Sequence, residues 1–217
     1  VLKTVNGIRP EFIEATGKII EEAEKVFQKI NHEMLLPLAD HIALAAKRAK
    51  ENRQIPNPFT PDIRVLFGEE YQVALKGREI IRRLTGYEIS EDEVGFITLH
   101  IHAGLSDEAV SQTLDTTRIV NEGIAMIEQE FDQKLESGSL GCTRLMSHMY
   151  YMILRTRKGE GTNADFNDFI FQNYPRTGEA AKRVCDYMSR QLKQPVAKEE
   201  IGFLAIHIQR VISPDTV

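Results

Sequence analysis

Cysteine is scarce, with two in 217 residues. Cys142 and Cys185 form no C-x-x-C, and both lie in the second half of the chain. Together they make neither a disulfide framework nor a metal knuckle, and a reducing cytoplasm is the natural setting for such usage. Long apolar runs are missing too: none approaches the roughly 20 residues that a membrane helix needs. The opening Val1-Leu2-Lys3-Thr4 leads into no such run, so a signal peptide is not indicated. The chain starts on Val and not Met, as a piece of a longer protein would. Positive charge is not in excess. Residues 1–108 hold 14 Lys/Arg and 18 Asp/Glu, and residues 109–217 hold 13 and 14, balances of −4 and −1. Neither half offers the field that drives binding to a phosphate backbone, which disfavours direct contact with nucleic acid. There is no H-E-x-x-H, no G-x-S-x-G, no Walker loop and no dinucleotide fingerprint. The expectation is a protein that is not an enzyme and needs no cofactor.

What is present is ordinary in amount and unusual in arrangement. Apolar residues make up 42% and charged residues 27%, values that suit a globular chain able to bury a core. The length fits one large domain or two small ones. Glu93-Val-Gly-Phe-Ile-Thr-Leu-His-Ile101 matches Glu200-Ile-Gly-Phe-Leu-Ala-Ile-His-Ile208, with five of nine positions identical, at an offset of 107 residues. The same offset carries His41 onto His148 and Arg48 onto Arg155. Shared anchors at one offset mark an internal duplication. Between the anchors the halves drift, and small gaps are expected around 56–75 and 160–178.

The periodicity is helical, with no alternating strand pattern of any length. Phe12, Ile19, Ile20, Phe27 and Ile30 follow the spacing of an amphipathic helix. A helix from near Pro37 to about 50 carries His41. Ile55-Pro-Asn-Pro-Phe-Thr-Pro-Asp62 reads as loop. A helix over about 69–84 ends near Gly86. Ser90-Glu-Asp-Glu93 is a capping box ahead of a helix through His100. The second half predicts helices over about 107–135, 140–156, 164–172, 178–193 and 197–212. The fold class is therefore all-α: two tandem helical bundles of about five helices each, over 1–105 and 106–217. Ser106 or Asp107 is placed to cap the next helix.

Each half sets two histidines 59 residues apart on two different helices, which packing can bring side by side. A neutral imidazole nitrogen is a nucleophile able to accept a phosphoryl group. The opposing reading is a satisfied core histidine, and the two stand about even on the residues alone. His102 falls on another face from His100 and has Gln209 as its counterpart, and His32 matches Ser139; both read as packing, surface or loop residues. Arg48 and Arg155 follow their histidines by seven residues, about 10.5 Å along the axis. They read first as solvated helix ends and second as phosphate neighbours. Arg210 lies three after His207 on the correct face to touch it, with Ala103 as its counterpart. Gly95 and Gly202, one turn inside their helices, imply close approach of another element. Asp40 precedes His41 but Ser147 precedes His148, so no shared carboxylate orienting the histidines is expected.

Leu38-x-Asp-His41-Ile with Glu93-Val-Gly-Phe-x-x-Leu-His100-Ile, repeated around His148 and His207, resembles the PTS regulation domain (PRD). Tandem copies resemble the regulatory half of bacterial transcriptional antiterminators of the LicT, SacY and GlcT type. The resemblance covers nearly the whole chain. It implies a helical bundle that dimerises through like domains. It implies phosphorylation of His41, His100, His148 and His207 by HPr and the IIB domain of a sugar permease. It implies an RNA-binding domain ahead of this segment. Ser147 and Met149 depart from the family pattern beside His148. Two rivals stay open: the same module on a DNA-binding activator, and a metal-binding helical protein, although none of the four histidines has the i, i+3 or i, i+4 partner of a tight site.

Overall fold

The computed structural model describes residues 7–212; Val1-Leu2-Lys3-Thr4 and the last residues lie outside them. Among the described residues there are ten α-helices and no strand. Contacts divide the chain into two compact units between Leu114 and Asp115.

The first unit holds α1 (Pro10–Glu24), α2 (Leu35–Lys50), α3 (Thr60–Leu66), α4 (Gly68–Thr85) and α5 (Glu91–Leu105). Phe12, Ala15, Ile19, Ile20 and Ala23 form the buried stripe of α1, the helical spacing that turns one face to a core. That stripe packs on α4 and α2, and α4 and α2 pack on α5. Ile19, Leu38, Ile42, Ile81, Ile97 and Ile101 are fully buried there. Each such side chain contributes about 1.5–3 kcal/mol relative to exposure, so α5 is held from several sides.

α6 (Val110–Phe131) crosses the division, and α7 (Leu140–Lys158), α8 (Asn167–Asn173), α9 (Pro175–Leu192) and α10 (Glu200–Ile212) complete the second unit. α10 packs on α9, α7 and α8, with Leu204, Ala205 and Ile208 buried. The offset of 107 runs through the whole structure. α3 and α4 become α8 and α9 with both ends of each in register. Gly86 and Lys193, which close α4 and α9, share the left-handed conformation, as do Asn52 and Gly159. No gap is needed around 56–75 or 160–178; the loops there differ in composition and not in length.

Several sequence boundaries move. Phe27 and Ile30 lie beyond the end of α1. The proline-rich loop ends sooner than composition suggests, because Pro61 sits in the first turn of α3, where its missing N–H costs nothing. Ser90 caps α5 by accepting from Glu93 N at 3.3 Å. Ser106 and Asp107 do not cap the next helix, which starts at Val110; Ser106 Oγ accepts from Glu108 N instead. His32 belongs to a short 3-10 helix, His32–Met34, and meets Glu24 at 2.6 Å on the surface.

Candidate functional site

α2 and α5 run antiparallel, and this brings the distant histidines together. The rings of His41 and His100 lie 4.9 Å apart between centroids. Two turns away, where α2 has advanced seven residues and α5 has retreated seven, Arg48 meets Glu93. Its Nη2 and Nε both donate to Oε1, at 2.7 and 3.0 Å. The other oxygen, Oε2, is 3.1 Å from His41 Nε2. That contact is close but poorly aligned, so neither atom makes a good hydrogen bond within the chain. Burial raises the Glu93 carboxyl, but His41 and Arg48 outweigh it and hold the group below the usual range. Burial first, and the charge of His41 second, push His100 down to about 4.

The second unit repeats the arrangement on α7 and α10. His148 and His207 are 4.5 Å apart and stacked. Arg155 forks onto Glu200, Nε to Oε1 at 2.9 Å and Nη2 to Oε2 at 3.0 Å. With both oxygens taken, His148 Nε2 stands back at 3.7 Å. Burial, then His207 and Arg155, push His148 down to about 3.

Comparisons with known proteins bear on this duplicated site. The family described as the PRD domain matches residues 17–104 and again 119–211. The chain belongs to the PRD family. Its relatives include the GlcA/glcB genes antiterminator of Staphylococcus carnosus (strain TM300), 31% identical over 192 residues, covering 88% of this chain and 66% of that protein. The transcription antiterminator LicT of Bacillus subtilis (strain 168) is 26% identical over 206 residues, covering 93% and 74%. A solved structure described as "Crystal structure of GlcT CAT-PRDI" is 31% identical and covers 46% of this chain and 60% of that one, with a TM-score of 0.43. The chain thus spans about two thirds of the length of the first of these relatives. It is a tandem PRD pair of the kind that transcriptional antiterminators carry.

Within each PRD the structure brings the two histidines together and corrects the expectations for their neighbours. Arg48 and Arg155 are not solvated helix ends. Their side chains are 20% and 32% exposed, drawn in by a carboxylate that the neighbouring helix supplies. A carboxylate does stand beside the first histidine of each pair, and it comes from Glu93 and Glu200 rather than from the residue before the histidine. Glu93 caps nothing with its side chain. The signal was present in the sequence: arginine seven after the first histidine, glutamate seven before the second, in both halves. On antiparallel helices those opposite steps meet at one level.

Gly95 and Gly202 fit their expected role. A Cβ on Gly95 would come within 3.0 Å of Thr60 Oγ1, and one on Gly202 within 3.1 Å of the Phe166 carbonyl carbon. The close element is the start of α3 or α8. His102 is a packing residue, 4.3 Å from the Phe67 ring, with Glu70 Oε1 3.0 Å from Nδ1 and Glu108 Oε2 3.8 Å from Nε2. Burial lowers its pKa, but the two carboxylates more than offset this and raise it. Cys142 and Cys185 are buried thiols in no disulfide. Among the described residues no group of three or more His, Cys, Asp or Glu is placed to hold a metal, and no helix is long and apolar enough to cross a membrane.

Proposed function

We propose that this tandem PRD pair is the regulatory part of a sugar-responsive transcriptional antiterminator, switched by phosphorylation of His41, His100, His148 and His207. The observation that carries the reading is the duplicated contact between two imidazoles, each pair backed by an arginine–glutamate bridge. His100, His148 and His207, held low in pKa, are neutral near pH 7, the form whose lone pair attacks phosphorus. A phosphoryl group brings about −1.5 to −2 charges on the figures for hydroxyl phosphates. Set between packed helices, that charge must find cations or move the helices. Shifting a two-state population from 1:99 to 99:1 takes about 5.5 kcal/mol, within reach of a few charge-assisted contacts per dimer.

The donors in this reading are HPr and the IIB domain of a sugar permease, acting in the cytoplasm. The pair works as a homodimer, and its output is an RNA-binding domain that precedes it in the full protein. The family relationship supports these partners, and the names of the relatives support the antiterminator output. The test is incubation with phosphoenolpyruvate, enzyme I, HPr and a IIB domain, with acid-labile phosphate mapped by mass spectrometry. Label is expected on the paired histidines and is lost site by site in His→Ala variants. Absence of label from all four overturns the reading.

A further inference from the structure

The repeat places one cavity twice. In the second PRD a cavity of about 560 Å³ opens beside His207, between the start of α7 and the end of α10. In the first, a cavity of about 480 Å³ opens beside His100 at the equivalent place. Arg144 and Arg210 line the former, and their counterparts at the 107 offset, Pro37 and Ala103, line the latter. The two cavities are the same site with different side chains.

The charges differ in sign. Arg144 lies one turn before His148 on α7, and Arg210 one turn after His207 on α10, so both reach the level of the pair opposite the Arg155–Glu200 bridge. Both are exposed. Among the described residues neither makes a hydrogen bond or ion pair, and their charge, after burial, helps hold His207 low. Lys134 and Glu136 also line this cavity, and Lys134 is joined to Glu128. The charged residues of the first cavity are Asp107 and Glu108 alone. Two guanidinium groups without a carboxylate partner line the cavity beside one histidine. They are the arrangement that holds a phosphoryl group, whose oxygens match the planar fork of arginine.

We propose that the cavity beside His207 is a receptor for a histidine-linked phosphoryl group, with Arg144 and Arg210 as its two arms, and that the cavity beside His100 lacks this receptor. This rests on the phosphorylation reading above and adds which site retains the group. In the step, the lone pair of a ring nitrogen of neutral His207 attacks the phosphorus of a phosphohistidine on the donor protein. The new N–P bond forms as the N–P bond of the donor's ring, protonated on its other nitrogen, breaks; the donor leaves with that electron pair as neutral imidazole, and the phosphorylated His207 ring keeps the proton on its own other nitrogen. One N–P bond replaces another, with no oxidant or reductant. The arginines remain protonated throughout and bind the transferred oxygens.

The test is the partition of phosphate between phosphorylated HPr, freed of enzyme I, and the full 217-residue chain, approached from both directions and read at each histidine by mass spectrometry. In the unaltered chain occupancy of His207 is expected to exceed that of His100 about tenfold or more. Arg144→Gln and Arg210→Gln are each expected to lower the equilibrium constant for His207 about three- to tenfold, and the double variant further. Arg190→Gln, which removes an exposed charge near the other end of α9, is the matched control and leaves the partition unchanged. Both arginines are exposed, so folding is expected to survive, and circular dichroism checks this. A partition at His207 that stays within twofold in both variants overturns the proposal and leaves the phosphorylation reading standing, as does label on other histidines with none on His207. No label on any histidine overturns the underlying reading itself.

Discussion

Glu93 and Glu200 are 3% and 2% exposed, and a carboxylate so placed persists as an anion only with a cation beside it. Arg48 and Arg155 are those cations. Glu93→Gln leaves the half-buried Arg48 guanidinium facing a neutral amide, and is expected to cost about 1–3 kcal/mol, measured as a lower urea midpoint with the slope unchanged. An unchanged midpoint would remove the bridge from the account. At this scale the histidines were legible in the sequence because their residue type and spacing recur. The bridge was not, because glutamate and arginine are common on solvated helix faces, and their pairing depends on helix direction, which composition does not carry.

At the scale of elements, α5 and α10 are held by what approaches their first turns. Alanine at a helical glycine gains about 1 kcal/mol of propensity, while overpacking costs about 1–3 kcal/mol. At Gly202 the near atoms are Asn167 Oδ1 and the Phe166 carbonyl carbon, both at 3.1 Å, and the second is backbone that does not rotate away. At Gly95 it is a side-chain hydroxyl, although Thr60 is tied to Asn57 O and Asp92. Gly202→Ala is therefore expected to destabilise by about 1–2 kcal/mol and Gly95→Ala by less, in thermal or chemical melts. Equal effects would show that backbone and side-chain neighbours yield alike. The long amphipathic helices were readable from periodicity. α3 was obscured because Pro58, Thr60 and Pro61 look like loop, and seven residues give too few turns for a stripe to emerge.

Across the whole molecule the histidines divide by sign. His100 and His148 titrate at about 4 and about 3 when folded, below the ordinary 6.5, and His207 is also lowered. The unfolded chain takes up these protons near pH 6.5 and the folded chain does not, so stability falls as pH drops from 6.5 toward 4. His102 is raised; its contribution is complete below pH 6.5 and is lost as pH rises through its folded value. Urea midpoints are expected to decline on acidification between pH 6.5 and 4.5, above the range in which lowered carboxylates such as Glu93 protonate. His100→Gln and His148→Gln are each expected to flatten that decline. A decline of the same slope in both variants would assign it elsewhere.

The unbroken register of 107 residues carries an evolutionary consequence. Two copies of one ancestral domain began with the same side chains, so each paired position that now differs marks a place where the halves diverged. Several such positions gather around the second histidine of each pair: Pro37 against Arg144, Ala103 against Arg210, and Glu70 with His102 against Thr177 with Gln209, the latter two joined by a neutral hydrogen bond of 2.6 Å. The arginine–glutamate bridge has been kept in both. Descent has thus held the frame constant and altered the charge at its open end, so neither copy is a spare for the other.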